Sequence, residues 1–541
     1  MPLETPARLA LALARRGYNA EREALTLLAG APDPDAALET AVAATPDDAL
    51  VLTAAHVKDA LSGTGKAARH SRPETEATGG YARERPDETP TPLTEAAADD
   101  PQPTSGNPPV STGPDAPDYP GESKVSPDEI KGSTSRDRDP TPAEVRGDVT
   151  GRSTGTGEYD QFVRTFRDRY ERLSKQLRSR VNARPASAVA EMSGGSETGL
   201  IGLVNDVRST AGGHWLVELE DATGVFPTLV TKEKDLADLV DLLVLDECVA
   251  VQGRLSDDAG VLFADSLQFP EVPRTFRPST ADRKVAAALI SDVHVGSEEF
   301  RGDAWDRFAE WLHTDEAAHV EYLLIAGDMV EGVGVYPGQD AELDVVDIYD
   351  QYEAFAERLK GVPGDMEIVM IPGNHDAVRL AEPQPGFDDE LRDIMTAHDA
   401  RIVGNPVTVT VEGVSVLMYH GMSLDEVIAE LPDDHASYDE PHKAMYELLR
   451  KRHVAPQYGG KNRLAPEERD YLVIDEVPDV FHTGHVHKLG YGKYHNVLAI
   501  NSGCWQAQTA FQKSVNIDPD VGYAPILRLD THELTLRDFA P

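Results

Sequence analysis

The pattern of apolar and polar positions divides the chain into segments with different periodicities. Residues 1–62 carry apolar residues at helical spacing, which predicts a small helical domain. This domain would be either a pair of solvated helices or a module that docks on a partner. Between residues 63 and 155 the periodicity is lost, and from Ser71 to Gly155 there are 14 Pro but only six Leu, Ile, Val, Met, Phe or Trp residues. Such a segment buries too little apolar surface to fold, which predicts a disordered linker.

The next two segments predict a helix and a barrel. Within residues 156–184, a basic amphipathic stretch from Phe162 to Val181 predicts a linking helix. From 185 to 275, five strand-like runs surround one helical pattern, Lys234 to Leu243, between the third and fourth runs. This is the layout of an OB-fold domain. Three aromatic residues here are available to stack on single strands, with core packing the expected use of at least two: Trp215, Phe226 and Phe263.

Residues 283–541 alternate short apolar runs with helical patterns. The runs Val285 to Ser291, Glu321 to Ala326 and Glu367 to Ile371 are continuous, as in strands buried on both faces of a sheet. Each ends in a polar, Gly-rich loop, where catalytic residues are expected. The fold class predicted for the whole chain is therefore α/β (α+β), with several domains.

Charge changes this picture in one respect. The 541 residues include 94 Asp and Glu against 51 Lys and Arg, a net charge of −43 that is spread along the chain. Acid excess with few Lys is typical of proteins that stay hydrated in concentrated salt, which predicts a halophilic source. It argues against a broad basic surface for nucleic acid, but not against binding phosphates through metal ions.

Two cysteines cannot form a disulfide framework, and no apolar run is long enough to span a bilayer. The expected location is therefore the cytoplasm, with no membrane partner.

Residues with metal-binding side chains follow five of the predicted strands of this last segment. Because such strand ends meet at one edge of a sheet, seven donors are expected to converge: Asp292, His294, Asp328, Asn374, His420, His485 and His487. Carboxylate, imidazole and carboxamide donors favour Mn²⁺, Fe or Zn over a Cys-rich structural zinc site, and Cys504 lies outside the pattern.

The spacing of these donors suggests how ions are shared. Asp292 and His294 are two residues apart, so in an extended segment both point to one side and can hold one ion. The same reasoning pairs His485 with His487, while Asp328 can bridge two cations. Two cations about 3.5 to 4 Å apart can drive phosphoester hydrolysis.

The ordered motifs D-x-H, GD, GNHD, H-G and GHxH resemble the calcineurin-like metallophosphoesterase superfamily. The resemblance implies a phosphoesterase β-sandwich flanked by helices. It also implies two ligand sets that share Asp328: Asp292, His294, Asp328 and His487 for one ion, and Asp328, Asn374, His420 and His485 for the other. His375 would stabilise the phosphorane or protonate the leaving 3′ oxygen, and Asp376 would orient its ring. Position 331 is Glu where many members have Asp.

Three further stretches, 333–339, 452–460 and 470–485, are similar to the small subunits of archaeal family D DNA polymerases. The order of an OB domain followed by a phosphoesterase domain agrees. The resemblance implies a 3′–5′ proofreading exonuclease that supports a large catalytic polymerase subunit in a replicative heterodimer. It would act on single-stranded or frayed DNA 3′ ends, with the sliding clamp as a further partner through the complex. Its cofactors would be two divalent ions, Mn²⁺ first, with Mg²⁺, Fe or Zn as alternatives.

Two other interpretations stay open. The chain could be a catalytically silent scaffold, as in related eukaryotic B-subunits that have lost several metal positions, or a stand-alone DNA repair nuclease. Every metal position is filled here, which favours an active nuclease.

One local exception to the acidity also concerns nucleic acid. Leu448 to Pro466 contains no acidic residue and five basic ones: Arg450, Lys451, Arg452, Lys461 and Arg463. This stretch is predicted to contact the DNA backbone or an acidic face of the large subunit, with a merely solvated loop as the alternative.

Overall fold

A computed structural model describes residues 9, 13, 19–20, 22–31, 34–45, 51–62, 140–153, 157–396, 400–514 and 516–540. The part of the predicted linker from 63 to 139 lies outside the described residues.

Among the described residues of the N-terminal part, three complete helices surround a small apolar core. The elements are β1 (Asn19–Ala20), α1 (Arg22–Ala29), α2 (Pro34–Ala44), β2 (Val51–Leu52) and α3 (Ala54–Ser62). Helices therefore occupy the segment where apolar spacing predicts them, and their core includes Leu25, Leu28 and Val57. The short parallel pairing of β1 with β2 was not expected from the sequence.

A short strand, a long helix and a closed barrel come next. They are β3 (Glu144–Arg146), α4 (Tyr159–Leu177), α5 (Ala186–Ala190), β4 (Glu197–Ser209), β5 (Trp215–Asp221), β6 (Gly224–Val230), β7 (Cys248–Leu255) and β8 (Leu262–Gln268). The barrel order is β4-β5-β6-β8-β7, and a 3₁₀ helix, Asp235–Leu242, connects β6 with β7. The predicted five-stranded OB-like barrel is confirmed. Phe226 is buried and Trp215 packs on the barrel core, whereas Phe263 is 39% exposed.

Two six-stranded sheets follow. The first has the order β12-β11-β10-β9-β18-β19. Its strands are β9 (Ala286–Ile290), β10 (Val320–Ala326), β11 (Glu367–Ile371), β12 (Arg401–Ile402), β18 (Tyr523–Arg528) and β19 (Leu534–Asp538). The second has the order β16-β17-β15-β14-β13-β3. Its further strands are β13 (Val407–Val411), β14 (Val414–Met418), β15 (Val480–Thr483), β16 (Leu489–Tyr494) and β17 (Val497–Ser502).

The sheets pack face to face, with helices on their outer sides. Leu289, Val416 and Ile500 belong to one apolar cluster between the sheets, while Ile290 joins a cluster with the helices. Those helices are α6 (Gly302–Leu312), α7 (Ile348–Leu359) and α8 (Asp389–Ile394) on the first sheet, and α9 (Leu424–Glu430) and α10 (Pro441–Lys451) on the second. Burial on both faces explains why the strands read as continuous apolar runs. The mixed α/β class is confirmed.

The linker prediction is wrong for residues 140–153. Val145 in β3 pairs with Val409, so β3 forms the edge of the second sheet. Ala143 and Val149 are buried, because this segment covers apolar surface of the sandwich. Two of the six apolar residues counted in the Pro-rich stretch, Val145 and Val149, therefore serve as packing residues.

Helix α4 connects the barrel with the sandwich through a buried ion pair. Arg169 is 1% exposed, and its Nε donates to Asp470 Oδ2 at 2.6 Å. Its Nη1 donates to the carbonyl oxygen of Asp246, while His453 Nε2 lies 3.0 Å from the same Asp470 oxygen. Burial raises the pKa of Asp470, but the Arg169 charge outweighs this and holds that pKa far below its usual value. Burial lowers the pKa of His453 to about 4, so the imidazole is neutral.

Among the described residues, no helix combines the length and the apolar character needed to cross a bilayer.

Candidate metal centre

The donors follow parallel strands whose carboxyl ends lie at one edge of the sandwich. In the first sheet β9, β10 and β11 run parallel, and in the second β14, β15 and β17 do so. Five of the seven proposed ligands have left-handed backbones with φ between 52° and 72°: Asp292, His294, Asp328, His485 and His487. Such conformations are costly for residues with a Cβ and concentrate at functional sites.

The first group contains Asp292, His294 and His487, all buried. The Nε2 atoms of the two histidines are 3.0 Å apart, and His487 Nε2 is 3.5 Å from Asp292 Oδ1. Their other ring nitrogens have polar neighbours: His294 Nδ1 lies 2.9 Å from a Glu331 oxygen, and His487 Nδ1 lies 2.9 Å from Gln512 Nε2. Two buried imidazole nitrogens that face each other beside a carboxylate form a site for a cation.

The second group contains Asp328, His420 and His485. His420 Nε2 lies 3.2 Å from Asp328 Oδ2 and 3.0 Å from Asn374 Oδ1. Its Nδ1 donates to the Ala326 carbonyl oxygen at 2.8 Å, an outer contact that directs Nε2 toward the other donors. Asp328 Oδ2 is also 3.8 Å from His294 Nε2, so this carboxylate lies between the two groups.

The electrostatics keep these carboxylates ionised. Burial acts to raise the pKa of Asp328, but neighbouring His420 and His375 lower it well below its usual value. Burial acts in the same direction on the pKa of Asp292, but contact with His487 outweighs it and lowers that pKa as well. Oxygen and nitrogen donors without a thiolate among these seven suit divalent ions of the Mn²⁺, Fe or Zn kind, so the residues fit the expected group.

Two glycines allow the loops to approach this closely. A Cβ atom at Gly373 would meet Asp328 Oδ1 at 2.2 Å, and one at Gly484 would meet Asp292 Oδ2 at 2.2 Å. Any side chain at either position would displace a carboxylate of the centre. The Gly in GNHD and in GHxH therefore has a packing reason.

One pairing expected from sequence spacing is wrong. His485 and His487 do not share a group: His487 joins Asp292 and His294, whereas His485 joins Asp328 and His420. Both residues have left-handed backbones, so the segment is not extended and alternation does not place them on one side. The superfamily resemblance likewise puts His487 with Asp292 and His294, and His485 with Asp328 and His420; the full ligand sets stay a prediction.

His375 lies next to both groups and forms a third set of close donors with His294 and Glu331, but its ring is not held as expected. Its backbone N–H donates to Asp328 Oδ1 at 2.8 Å, and its Nδ1 lies 2.7 Å from the Glu331 carbonyl oxygen. Asp376 accepts bonds from the Gly373 amide and the Tyr352 hydroxyl instead. The expectation that Asp376 orients the His375 ring is therefore wrong, because its carboxylate braces the loop. Burial and the Asp328 charge raise the pKa of Asp376 to about 7.

Sequence reasoning missed the residues that support the ligands from behind. Asp425 lies at the start of α9, and its Oδ2 is 3.3 Å from His485 Nε2. Burial acts to raise the pKa of Asp425, but His485 lowers it to about 2. Cys504, set outside the pattern, interacts with His487 in the fold. No motif spacing in the sequence points to Asp425 or Gln512. Glu331, in contrast, was noticeable in the sequence because many members of the superfamily have Asp there.

Three of the five basic residues from 450 to 463 do not form a free surface. Lys451 is completely buried, where Nζ donates to the Leu242 carbonyl and lies 3.3 Å from Glu247. Arg452 is 4% exposed and donates to the Ile474 carbonyl, and Arg450 pairs with Glu447. Lys451 holds α10 to the barrel side, while Arg452 and Arg450 bond within the sandwich, so these three do not offer the basic surface that was predicted for nucleic acid. Lys461 and Arg463 are exposed and keep that prediction.

Comparison with known proteins places this centre in a family. The family of the DNA polymerase alpha/epsilon B-subunits matches residues 287–489. A protein of Halobacterium salinarum named DNA polymerase II small subunit is 61% identical over 540 residues, 100% of each chain. Proteins of the same name from Archaeoglobus fulgidus and Methanocaldococcus jannaschii are 42% and 38% identical, over 72% and 71% of this chain and 79% and 66% of their own.

Proposed function

Because the chain belongs to the small subunits of archaeal family D DNA polymerase, named DNA polymerase II small subunit in its relatives, we propose that it carries the proofreading exonuclease of that replicative enzyme. It would remove mismatched nucleotides from single-stranded or frayed 3′ ends while held on a large catalytic subunit. The observation that carries the proposal is the closeness of the proposed donors: six of them fall in two groups of close ligand atoms, and Asp328 lies between these groups.

Two divalent cations, Mn²⁺ first, would be held by the residues of these groups. Asp292, His294, Asp328 and His487 are proposed for one ion, and Asp328, Asn374, His420 and His485 for the other. When bound, such a pair acts as a Lewis acid that activates water and neutralises charge on a phosphodiester. Residues 283–541 would then be a calcineurin-like phosphoesterase domain, and 185–275 the OB domain before it.

His375 is proposed to act on the leaving group. Its Nδ1–H donates to the Glu331 carbonyl, which leaves Nε2 to carry a second proton in the imidazolium form. When water attacks phosphorus and the bond to the 3′ oxygen breaks, this Nε2 proton passes to that oxygen. The products are a nucleoside 5′-monophosphate and a shortened strand with a 3′-hydroxyl. The side chain is partly open, 16% exposed, as a group that meets substrate must be.

A scaffold without catalysis is the second candidate, favoured by the match to a family of B-subunits over the same 287–489 region. The filled metal positions favour the nuclease. In either case the large polymerase subunit is the proposed partner, and the sliding clamp would be reached through the complex.

Replacing His375 with Ala separates these candidates. The variant should bind the same number of metal ions, because His375 belongs to neither proposed ligand set. It should release mononucleotides from a 3′ end about 10² to 10⁴ times more slowly, the usual contribution of a general acid. The measurement is Mn²⁺-dependent shortening of a 5′-labelled single strand, with metal content determined in parallel. His313→Ala, at an exposed site, is the matched control. Undiminished release by His375→Ala would refute the proposed role.

A further inference from the structure

Two aromatic rings stand beside the metal centre. Tyr336 and Phe511, here called the aromatic wall, are stacked with ring centroids 5.1 Å apart and planes at 26°. Phe511 is 46% exposed, and neighbouring Val335 is 37% exposed. Large apolar side chains exposed together at the edge of a site, on a chain of net charge −43, call for a ligand with an apolar face.

The aromatic wall is close to the proposed reaction. The Tyr336 ring centroid lies 6.3 Å from that of His375, and the His375 ring lies 4.7 Å from that of His294. The rings thus lead outward from a proposed metal ligand, through the proposed general acid, to the aromatic wall. A group stacked on the wall would be part of the same nucleotide or its neighbour.

Tyr336 is fixed in place by the metal centre. Its hydroxyl lies 3.2 Å from Glu331 Oε1 and 3.2 Å from Glu342 Oε2, and Glu331 also contacts His294. Gln339, which is 1% exposed, donates to the Glu331 carboxylate and accepts from the Val335 amide. The loop that carries Tyr336 is therefore held in one position relative to the ligands.

Phe511 is fixed from the other side. It lies in the short helix α11 (Ala510–Ser514), next to the buried Gln512. Gln512 Nε2 is 2.9 Å from His487 Nδ1 and donates to Gln506 Oε1 at 3.1 Å. Both rings are thus positioned by residues that touch proposed ligands, and pre-organisation of this kind lowers the entropy lost on binding.

We infer that the aromatic wall binds the base of the 3′-terminal nucleotide by stacking, an inference that rests on the proposed function. Stacking accepts every base, as a proofreading site requires, because each base has a π-face. To reach the wall, the terminal base has to leave its pair and its stacked neighbour, and this costs least at a mismatched, unpaired or frayed end. Stacking also needs no Lys or Arg contact to phosphate, the kind of contact that concentrated salt weakens.

The test compares two 3′ ends with the full-length chain and Mn²⁺. One single strand ends in an ordinary thymidine, and the other ends in an abasic deoxyribose. Phe511→Ala should slow release of the terminal thymidine about tenfold or more, the effect of losing one base–aromatic stack. On the abasic end the rate should change less than about twofold, since there is no base to stack. Phe511→Trp should restore thymidine release to within about threefold of the original rate.

The possible outcomes separate the two proposals. Equal losses on both ends would give Phe511 a structural role, or a place under the large subunit, and would overturn the inference. No loss on either end would also overturn it while leaving the nuclease intact. If the unsubstituted chain, with metal bound, releases nothing from either end, the proposed function fails and the inference fails with it.

Discussion

Asp328→Asn is expected to abolish the nuclease and to remove bound metal from both groups. Asp328 is the carboxylate nearest to both, with Oδ2 at 3.2 Å from His420 Nε2 and 3.8 Å from His294 Nε2. An amide in its place offers one neutral oxygen, so each proposed ion loses the negatively charged carboxylate that it shares with the other. The rate of mononucleotide release should fall at least about 10³-fold, more than the loss of a single charge-stabilising donor usually costs.

Two measurements check this expectation. Metal content after gel filtration should fall, and 3′-end shortening in Mn²⁺ should be lost, while circular dichroism shows a retained fold. Asp433→Asn, an exposed acid-to-amide change outside the centre, should leave both values unchanged. Full metal content and full activity in Asp328→Asn would exclude the proposed bridging position.

The second large effect is on stability. Arg169→Ala should lower the free energy of unfolding by about 3 to 5 kcal/mol, because it leaves the Asp470 carboxylate buried without its guanidinium. It also leaves the Asp246 carbonyl without that donor. Denaturant unfolding in molar salt is the measurement. Arg167→Ala on the same helix, at an exposed position, should change this free energy by less than about 0.5 kcal/mol.

A double substitution isolates the ion pair within this prediction. Arg169→Ala combined with Asp470→Ala should cost less than the sum of the single changes, since the second removes the unpaired charge. Additive losses would mean that the two side chains act independently. If Arg169→Ala lowers the free energy of unfolding no more than Arg167→Ala does, the buried pair does not hold α4 to the sandwich.

The fold was predictable where burial leaves a local signature. The run Glu367–Ile371 appears as a strand with the same bounds as predicted, because both its faces are covered. The barrel strands alternate, and the five runs expected between 185 and 275 all appear as strands. Strand β3 was not predicted, because the segment around it has few apolar residues. It packs by pairing with β13, which lies more than 200 residues away in the sequence.

The centre was predictable as a set of donors but not in its detail. Motif order predicts that these seven side chains meet at one edge, since parallel strands deliver their loops there, whereas the division into two ligand sets comes from the superfamily resemblance and stays a prediction. The pairing of His485 with His487 failed because left-handed backbones are invisible in a sequence. Lys451 is buried against Leu242 and Glu247, which belong to a distant segment of the chain. The basic stretch around Lys451 therefore could not predict this burial.

The net charge of −43 is explained by adaptation of the protein surface to concentrated salt, and it does not argue against a nucleic-acid partner. The relative from Halobacterium salinarum agrees with adaptation to salt. In that solvent a Lys and Arg surface gives little affinity for DNA. The proposed nuclease would contact DNA through its buried metal ligands, the aromatic wall, and the exposed Lys461 and Arg463. It therefore needs no broad basic surface.

One measurement tests the central claim most directly. The purified full-length chain is incubated with single strands labelled at the 5′ end, in molar salt, with Mn²⁺ or with a chelator. We predict stepwise shortening from the 3′ end, with nucleoside 5′-monophosphates as products, that depends on Mn²⁺ and is stopped by the chelator. Intact strands under both conditions, together with no metal bound to the protein, would contradict the two-metal nuclease and leave the scaffold.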